Sequence, residues 1–175
     1  MGHQSSLFVP IIHIETRHNW YGEVRYNYED VQTISMYTGK TFSGGNKFGY
    51  TLTPLIGYSA GNFTGSSLAL NNEADWKNFY FSSQSQYSFS FKKEVSNFFF
   101  TWSELGYNVS PNFFAGAALQ YTWQLNTGEA EPGFVAGINF KNFSVPFYVF
   151  NPFKQGSYIV LGLNYEYDLK RKKSR

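Results

Sequence analysis

Cysteine is absent from the 175-residue chain, which excludes a disulfide framework and a cysteine-based zinc site. Charged residues are also scarce, at 15% against a typical value of about 25%. So few charges make a poor solubilising coat for a water-soluble domain of this size. The net charge of +2 is too small to indicate a nucleic-acid partner, and the basic residues are not interleaved with the aromatic ones.

Long apolar runs are missing too. No run approaches the roughly 18 residues that a membrane helix needs, and "LFVPII" is too short even for the core of a signal peptide. The start "MGHQSS" looks like an added beginning on a mature chain, so residues 1–6 are expected to be disordered. The length favours one domain, expected over 7–169. The run "KRKKSR" at 170–175 is expected to be a solvated basic tail, with contact to phosphate head groups as the alternative.

Aromatic residues are abundant, at 21% of the chain, and turn-forming residues recur at short, fairly even intervals. Between turns such as "SGGN", "AGN" and "NTGEAEPG" lie segments of about 8 to 13 residues that are rich in Tyr, Phe, Thr, Val and Ile. These segments predict an all-β meander of about ten strands, with eight or twelve as alternatives. Pro54 and Pro146 weaken two of the predicted strands, because proline donates no ladder hydrogen bond.

The predicted strands have two different faces. In "WYGEVRYNYE", residues 20–29, alternate positions separate the rings and Val24 from Glu23 and Arg25. In "FYFSSQSQYSFSF", one face is dominated by Phe, and the other carries Tyr80, Ser and Gln. Whether the apolar face points inward or outward decides between a soluble barrel and a membrane protein.

The outward orientation of the apolar faces is favoured. A soluble barrel of eight to ten strands has room inside for only a modest set of side chains, and it would leave Ser, Gln and Gly as its coat. A closed barrel in a membrane offers the rings unlimited room and leaves no backbone edge unpaired. The segment lengths also suit tilted membrane strands of roughly 9 to 11 residues. The predicted lipid-facing aromatic residues are Trp20, Tyr26, Tyr28, Phe79, Phe81, Phe89, Phe91, Tyr121, Trp123, Tyr165 and Tyr167.

On these repeated aromatic-ended strands and the final segment "YIVLGLNYEYDL", the chain resembles the small outer-membrane β-barrel proteins of Gram-negative bacteria. The resemblance covers nearly the whole chain and is to the class, not to one member. It implies a closed, antiparallel, up-and-down transmembrane barrel in the cell outer membrane, in contact with lipid and lipopolysaccharide. One departure is the basic tail after Leu169, where the class usually ends on an aromatic residue.

Charged side chains of the first and last strands are predicted to meet inside the closed barrel. The opening strands contribute His13, Glu15, Arg17, Glu23 and Arg25, and the last strand contributes Asn164, Glu166 and Asp168. An interior network of ion pairs that plugs the lumen is the favoured interpretation, because buried charges must be paired. The alternative is a charged constriction that selects small polar solutes.

Catalysis and metal binding have weak support. Enzymes that modify lipids occur in this class of barrels, and His13 beside Glu15 could serve as a general base. However, His18 falls on the opposite face, which argues against a three-ligand metal site, and the motif "GxSxG" is absent. The sequence therefore predicts no enzyme activity, no cofactor and no metal.

The expected function is that of a monomeric outer-membrane barrel, acting as a narrow passive channel or as a structural or accessory part of a larger envelope complex. Two alternatives remain: a soluble, lipocalin-like ligand-binding barrel and a lipid-modifying membrane enzyme.

Overall fold

The computed structural model describes residues 7–167, and these form strands and turns without a helix. The all-β, antiparallel, up-and-down arrangement expected from the sequence is confirmed. The strands are β1 (Ile11–Glu15), β2 (Trp20–Tyr26), β3 (Thr33–Lys40), β4 (Phe42–Gly44), β5 (Phe48–Gly61), β6 (Gly65–Trp76), β7 (Phe79–Ser90), β8 (Phe98–Ser110), β9 (Phe113–Gln124), β10 (Thr127–Phe140), β11 (Phe143–Phe150), β12 (Tyr158–Leu161) and β13 (Asn164–Tyr165).

Tight turns join many of the strands, and their backbone conformations explain the hairpins. In the two-residue turn between β9 and β10, Leu125 and Asn126 take φ values of 51° and 61°. Positive φ at both positions is the conformation whose twist matches two antiparallel strands. The turn between β10 and β11 also begins with a positive φ, at Lys141.

The two prolines interrupt the hydrogen-bond ladder, as the sequence predicts. β3 and β4 pair with β5 in one continuous register, Gly39 with Leu55 and Phe42 with Leu52, and the gap between them lies opposite Pro54. In the same way, β12 and β13 share one register on β11. Their gap lies opposite Pro146, which accepts a hydrogen bond from the Gly162 amide at 2.8 Å but has no N–H to return.

The sheet runs through eleven hydrogen-bonded positions, in the order β1-β2-β3-β5-β6-β7-β8-β9-β10-β11-β12. Ten had been expected. In the described part of the chain, β1 pairs only with β2, and β12 pairs only with β11. The predicted pairing of the first strand with the last is therefore not found. The physical reason is direction: with eleven positions in a meander, β1 and β12 run the same way, so they cannot form an antiparallel pair.

The sheet is nevertheless strongly curled, because side chains of distant strands meet on its concave side. Nη1 of Arg25 on β2 lies 2.8 Å from Oε1 of Gln86 on β7. Gln86 is 4% exposed, whereas Phe79 and Phe91, which point the other way, are 46% and 62% exposed. On β2 and β7 the polar faces therefore line the interior, and the apolar faces form the outer surface.

Candidate functional site: a buried charge cluster in the interior

The densest polar site lies where β2, β3 and β7 face one another. At its centre is Arg25, whose side chain is 1% exposed. Its Nε contacts the Glu23 carboxylate, and its Nη1 lies 3.7 Å from Oε1 of Glu29. We call this the charge cluster; its members are Glu23, Arg25, Tyr28, Glu29, Tyr37 and Gln86.

Two phenol rings sandwich the guanidinium. The Arg25 Cζ lies 4.4 Å from the centre of the Tyr28 ring and 4.3 Å from that of Tyr37. A planar cation between two ring faces gains cation–π attraction in a desolvated site. The Tyr37 hydroxyl donates to Oε1 of Glu29 at 2.8 Å, so the rings also bind the carboxylates that balance the arginine.

Both ends of the cluster are anchored by further hydrogen bonds. The Tyr21 hydroxyl donates to Oε2 of Glu23, and the Ser35 hydroxyl donates to Glu29. Ser35 also lies 2.8 Å, between hydroxyl oxygens, from Ser59 on β5. Because nearly all of these groups are buried and partnered, their desolvation cost is offset by charge-assisted hydrogen bonds.

The local backbone explains why strand alternation predicted the wrong direction for one member, Tyr28. Asn27 has a φ of 58°, so the alternation of β2 stops there. Tyr28 was predicted to face lipid, which is wrong: its ring lies over Arg25, and its hydroxyl donates to Oε1 of Gln84 at 3.2 Å. Glu29 was left out of the predicted interior set although it also points inward. The asparagine, a residue that favours left-handed conformations, is the signal that could have warned of this change.

Tyr28 lies in the β2–β3 connection, outside the strands. Burial raises the pKa of its phenol to about 12, although the Arg25 guanidinium opposes the shift. The hydroxyl therefore stays protonated at ordinary pH and remains a donor to Gln84.

Of the predicted interior charges within residues 7–167, only two reach the charge cluster. Glu23 and Arg25 are buried there, whereas His13, Glu15, Arg17 and Glu166 are exposed. Asn164 is exposed as well, and Asp168 lies outside the described residues.

The remaining predicted charges do not converge on the Arg25 wall. The His13 ring stacks on Tyr21 with centroids 5.6 Å apart. Among the described residues, the structure thus separates the predicted set into a buried, ion-paired group and an exposed group of mixed charge.

A second interior cluster, between β8 and β11, is built from rings. We call it the aromatic cluster; it comprises Trp102, Phe114, Tyr148 and Phe150. Phe150 is fully buried, and its ring stands edge-on to Trp102 with centroids 5.2 Å apart. It fits because its cross-strand neighbour is Gly133, where a Cβ would lie 2.7 Å from the Phe150 ring.

A partly buried carboxylate beside the aromatic cluster, that of Glu104, accepts hydrogen bonds from its polar groups. The Tyr148 hydroxyl donates to Oε1 of Glu104 at 2.7 Å, and the Trp102 indole N–H donates to the same oxygen at 3.2 Å. Sequence reasoning missed Glu104, because a single glutamate on a polar strand face carries no local signal of what lies opposite.

The chemistry available in the interior is ion pairing and hydrogen bonding. Across residues 7–167, no group of three or more His, Cys, Asp or Glu side chains is placed to hold a metal ion. His13 has Tyr21 as its ring neighbour, and no hydrogen bond joins it to Glu15 in the described structure. None of the described residues forms a helix long and apolar enough to cross a bilayer.

Comparison with family models, curated proteins and solved structures found no match to this chain. The burial and polarity of the side chains on the two faces of the sheet are therefore the observations that bear on function.

Proposed function

We propose that this chain is a transmembrane β-barrel of the outer membrane, with a structural or accessory role and a lumen blocked by the charge cluster. The observation that carries the proposal is the inverted distribution of polarity. Large apolar side chains such as Ile56, Leu68 and Phe134 are 55% to 62% exposed on the outer surface, whereas Arg25 and Glu23 are buried within. A water-soluble barrel would not leave so many large apolar side chains exposed over its outer surface.

The dimensions of the central strands support this placement. β5 to β10 contain 12 to 14 residues each, enough to cross the apolar core of a bilayer at a tilt. Exposed rings near their ends, such as Trp76, Phe79 and Tyr107, suit the interfacial girdles of such barrels. Lipid and lipopolysaccharide are then the molecules that cover the outer surface.

The connections suggest an orientation. Turns 77–78, 111–112 and 141–142 are short and lie at one end. The other end carries the longer connections 27–32, 91–97 and 151–157, together with the short ones 62–64 and 125–126. Outer-membrane barrels have short periplasmic turns and longer external loops. The charge cluster, which includes residues of 27–32, then lies towards the external side.

A narrow channel for small polar solutes is the second candidate. It is favoured by the exposed, mainly acidic side chains at the short-turn end, Glu73, Asp75 and Glu166, which water can reach. The two roles differ in whether the charge cluster closes the path.

Planar-bilayer conductance separates them. The unaltered protein should insert from detergent without conducting steps, and a Glu23→Ser, Arg25→Ser, Glu29→Ser variant should conduct, because the cluster side chains have been removed. Val24→Ser, on the same strand but pointing outward, is the matched control and should stay silent. If the unaltered protein conducts and the triple variant changes nothing, the structural role is wrong and the channel role stands.

Detergent dependence tests the membrane placement itself. The protein should sediment or aggregate without detergent and float with lipid vesicles in a density gradient. A monodisperse protein in plain buffer would overturn the membrane proposal and favour the soluble ligand-binding alternative.

A further inference from the structure

Three lysines at the short-turn end, the end that carries the turns 77–78 and 141–142, lie over aromatic rings of the outer surface. We call these pairs the cationic collar; they are Lys40 with Trp20, Lys77 with Trp76, and Lys141 with Phe140. In that order, the ammonium nitrogen lies 6.0 Å, 4.7 Å and 5.2 Å from the centre of the ring.

In two of the pairs, the backbone turns the lysine towards the outward ring. Lys77 directly follows Trp76, and Lys141 directly follows Phe140. Successive side chains of a strand point to opposite faces, so a lysine in that position would face the interior if the strand continued. Both lysines instead take a positive φ, 56° at Lys77 and 54° at Lys141. Each turn thus places a lysine in a left-handed conformation that asparagine, its next residue, adopts at lower cost.

The third pair forms across two strands. Trp20 of β2 and Lys40 of β3 are register partners, and Trp20 points outward like Val24 on the same strand. The three rings of the collar are 48% to 63% exposed, and the three lysines are exposed as well. The collar therefore belongs to the outer surface and is open to a ligand on that side.

The collar is a positively charged surface. Across residues 7–167 the ion pairs involve Arg25 alone, so no described carboxylate is paired with the collar lysines. Arg17 and Lys47 add further cations at this end, and Asp75 occupies an inward position next to the outward Trp76. Neither Asp nor Glu occurs in the turns of this end, which are 16–19, 45–47, 77–78, 111–112 and 141–142.

The opposite end of the sheet differs. Lys92 there donates hydrogen bonds to the carbonyl oxygens of Gly61 and Asn62, at 2.6 Å and 2.8 Å, and its connection also carries Glu94. The turn 125–126 begins with a left-handed residue too, but that residue is a leucine. In the described part of the chain, pairs of a lysine with an outward ring are therefore confined to the short-turn end.

We infer that the cationic collar binds the phosphate groups of anionic glycerophospholipids in the leaflet at the short-turn end, an inference that rests on the proposed transmembrane placement. Rings at the ends of membrane strands lie at the level of the head groups, which sets the ammonium groups beside the lipid phosphates. An ammonium group over a ring keeps its charge and its N–H donors, and phosphate oxygens accept hydrogen bonds from it. A zwitterionic lipid carries its own cation, so a lipid with a net negative charge is favoured.

The spacing of the three pairs favours a lipid leaflet over a protein partner. In the order of the sheet, β5 separates the first pair from β6 and β7, and β8 and β9 separate these strands from β10 and β11. On a sheet curled enough for Arg25 to reach Gln86, the pairs face different directions. One compact protein surface cannot contact all three, whereas lipid head groups surround the molecule at that level.

Tryptophan fluorescence tests this assignment, because Trp76 and Trp123 report on the two ends. Trp123 lies on the outer surface near the opposite end of β9, and in the described structure no lysine lies over its ring. One reporter protein, Trp20→Phe with Trp123→Phe, keeps Trp76 as its only lipid-facing tryptophan, since Trp102 packs in the interior. The other reporter, Trp20→Phe with Trp76→Phe, keeps Trp123.

Each reporter is reconstituted in phosphatidylcholine vesicles that contain brominated phosphatidylglycerol or brominated phosphatidylcholine. Quenching of Trp76 should indicate about fivefold stronger association of phosphatidylglycerol, the size expected for one lysine near the head groups. Lys77→Gln should bring this ratio close to one, whereas Lys93→Gln, at an exposed lysine of the opposite end, should leave it unchanged. Trp123 should show little preference between the two lipids.

The outcomes separate the lipid site from the proposed function. If both brominated lipids quench Trp76 equally, if Lys77→Gln leaves the preference intact, or if Trp123 shows the same preference, the collar is not a phospholipid site, although the protein is in the membrane. If neither lipid quenches either reporter, the membrane placement itself is refuted.

A second measurement tests the three pairs together. Electron paramagnetic resonance with spin-labelled lipids gives the association of phosphatidylglycerol relative to phosphatidylcholine around the whole protein. Lys40→Gln with Lys77→Gln and Lys141→Gln should remove most of the preference, whereas Lys93→Gln with Lys154→Gln should retain it. Raising the salt concentration should weaken the preference of the unaltered protein, because exposed charges are screened. A triple variant that keeps the full preference would overturn the collar.

Discussion

The two interior clusters fill the curled sheet by opposite means. Around Arg25, a cation is balanced by carboxylates and held between two phenols. Around Phe150, rings pack on rings, and Glu104 is the only carboxylate that the Tyr148 and Trp102 donors share. An ion-paired interior fixes which strands meet, because each charge must find its partner, whereas a ring cluster gains energy from area in many arrangements.

The largest loss of stability is expected from a substitution at Arg25. Arg25→Ala leaves Glu23 and Glu29 buried without their counter-ion, so we expect a loss of about 3–5 kcal/mol in the free energy of unfolding. Urea unfolding in lipid vesicles, followed by tryptophan fluorescence, measures it. Arg17→Ala, in an exposed turn, should change stability by less than about 0.5 kcal/mol.

A second variant tests whether the uncompensated charges cause the loss of stability in Arg25→Ala. Replacing the three charges together by Glu23→Leu, Arg25→Met and Glu29→Leu should recover most of the stability lost in Arg25→Ala, because no uncompensated charge remains. If the triple variant is as unstable as Arg25→Ala, packing and not charge balance holds this region.

The aromatic cluster should respond to loss of volume. Phe150→Ala removes a fully buried ring and leaves a cavity against Gly133, with an expected cost of about 3–4 kcal/mol in the same unfolding experiment. Phe153→Ala, in an exposed connection, is its control. A cost below about 1 kcal/mol would show that neighbouring rings collapse into the space.

Glu104 tests whether charge matters inside the aromatic cluster. Glu104→Gln keeps a carbonyl oxygen for the Tyr148 and Trp102 donors and removes the charge, so stability should fall by only about 1 kcal/mol. Near-UV circular dichroism should keep the aromatic signal. A loss as large as that of Arg25→Ala would show that the aromatic cluster, like the charge cluster, depends on its charge for stability.

An effect of similar size is expected at Tyr28. Tyr28→Phe keeps the ring over Arg25 and loses the hydrogen bond to Gln84, which should cost about 1 kcal/mol. Tyr28→Leu also loses the cation–π contact and should cost about 1 kcal/mol more. Identical unfolding curves for both variants would mean that the ring face contributes nothing measurable.

The strand character, the two faces of the strands and the two ladder interruptions could be predicted from the sequence, because each depends on neighbouring residues. Alternation placed Glu23 and Arg25 together on one face, and the missing N–H groups of Pro54 and Pro146 predicted where pairing fails. Prediction from the sequence failed at Tyr28, because β2 ends at Tyr26 and the connection that follows the left-handed Asn27 turns both Tyr28 and Glu29 inward. It also failed at the pairing of the first and last strands, where one extra strand reverses a direction.

By itself, the sequence determined an antiparallel all-β chain whose strands each have two different faces, since pleating fixes side-chain direction residue by residue. Only the tertiary structure decided that Arg25 meets Gln86 and Glu29, and that Glu104 meets Tyr148. Those encounters depend on how tightly the sheet curls and on how many strands separate the partners, quantities that no local pattern encodes.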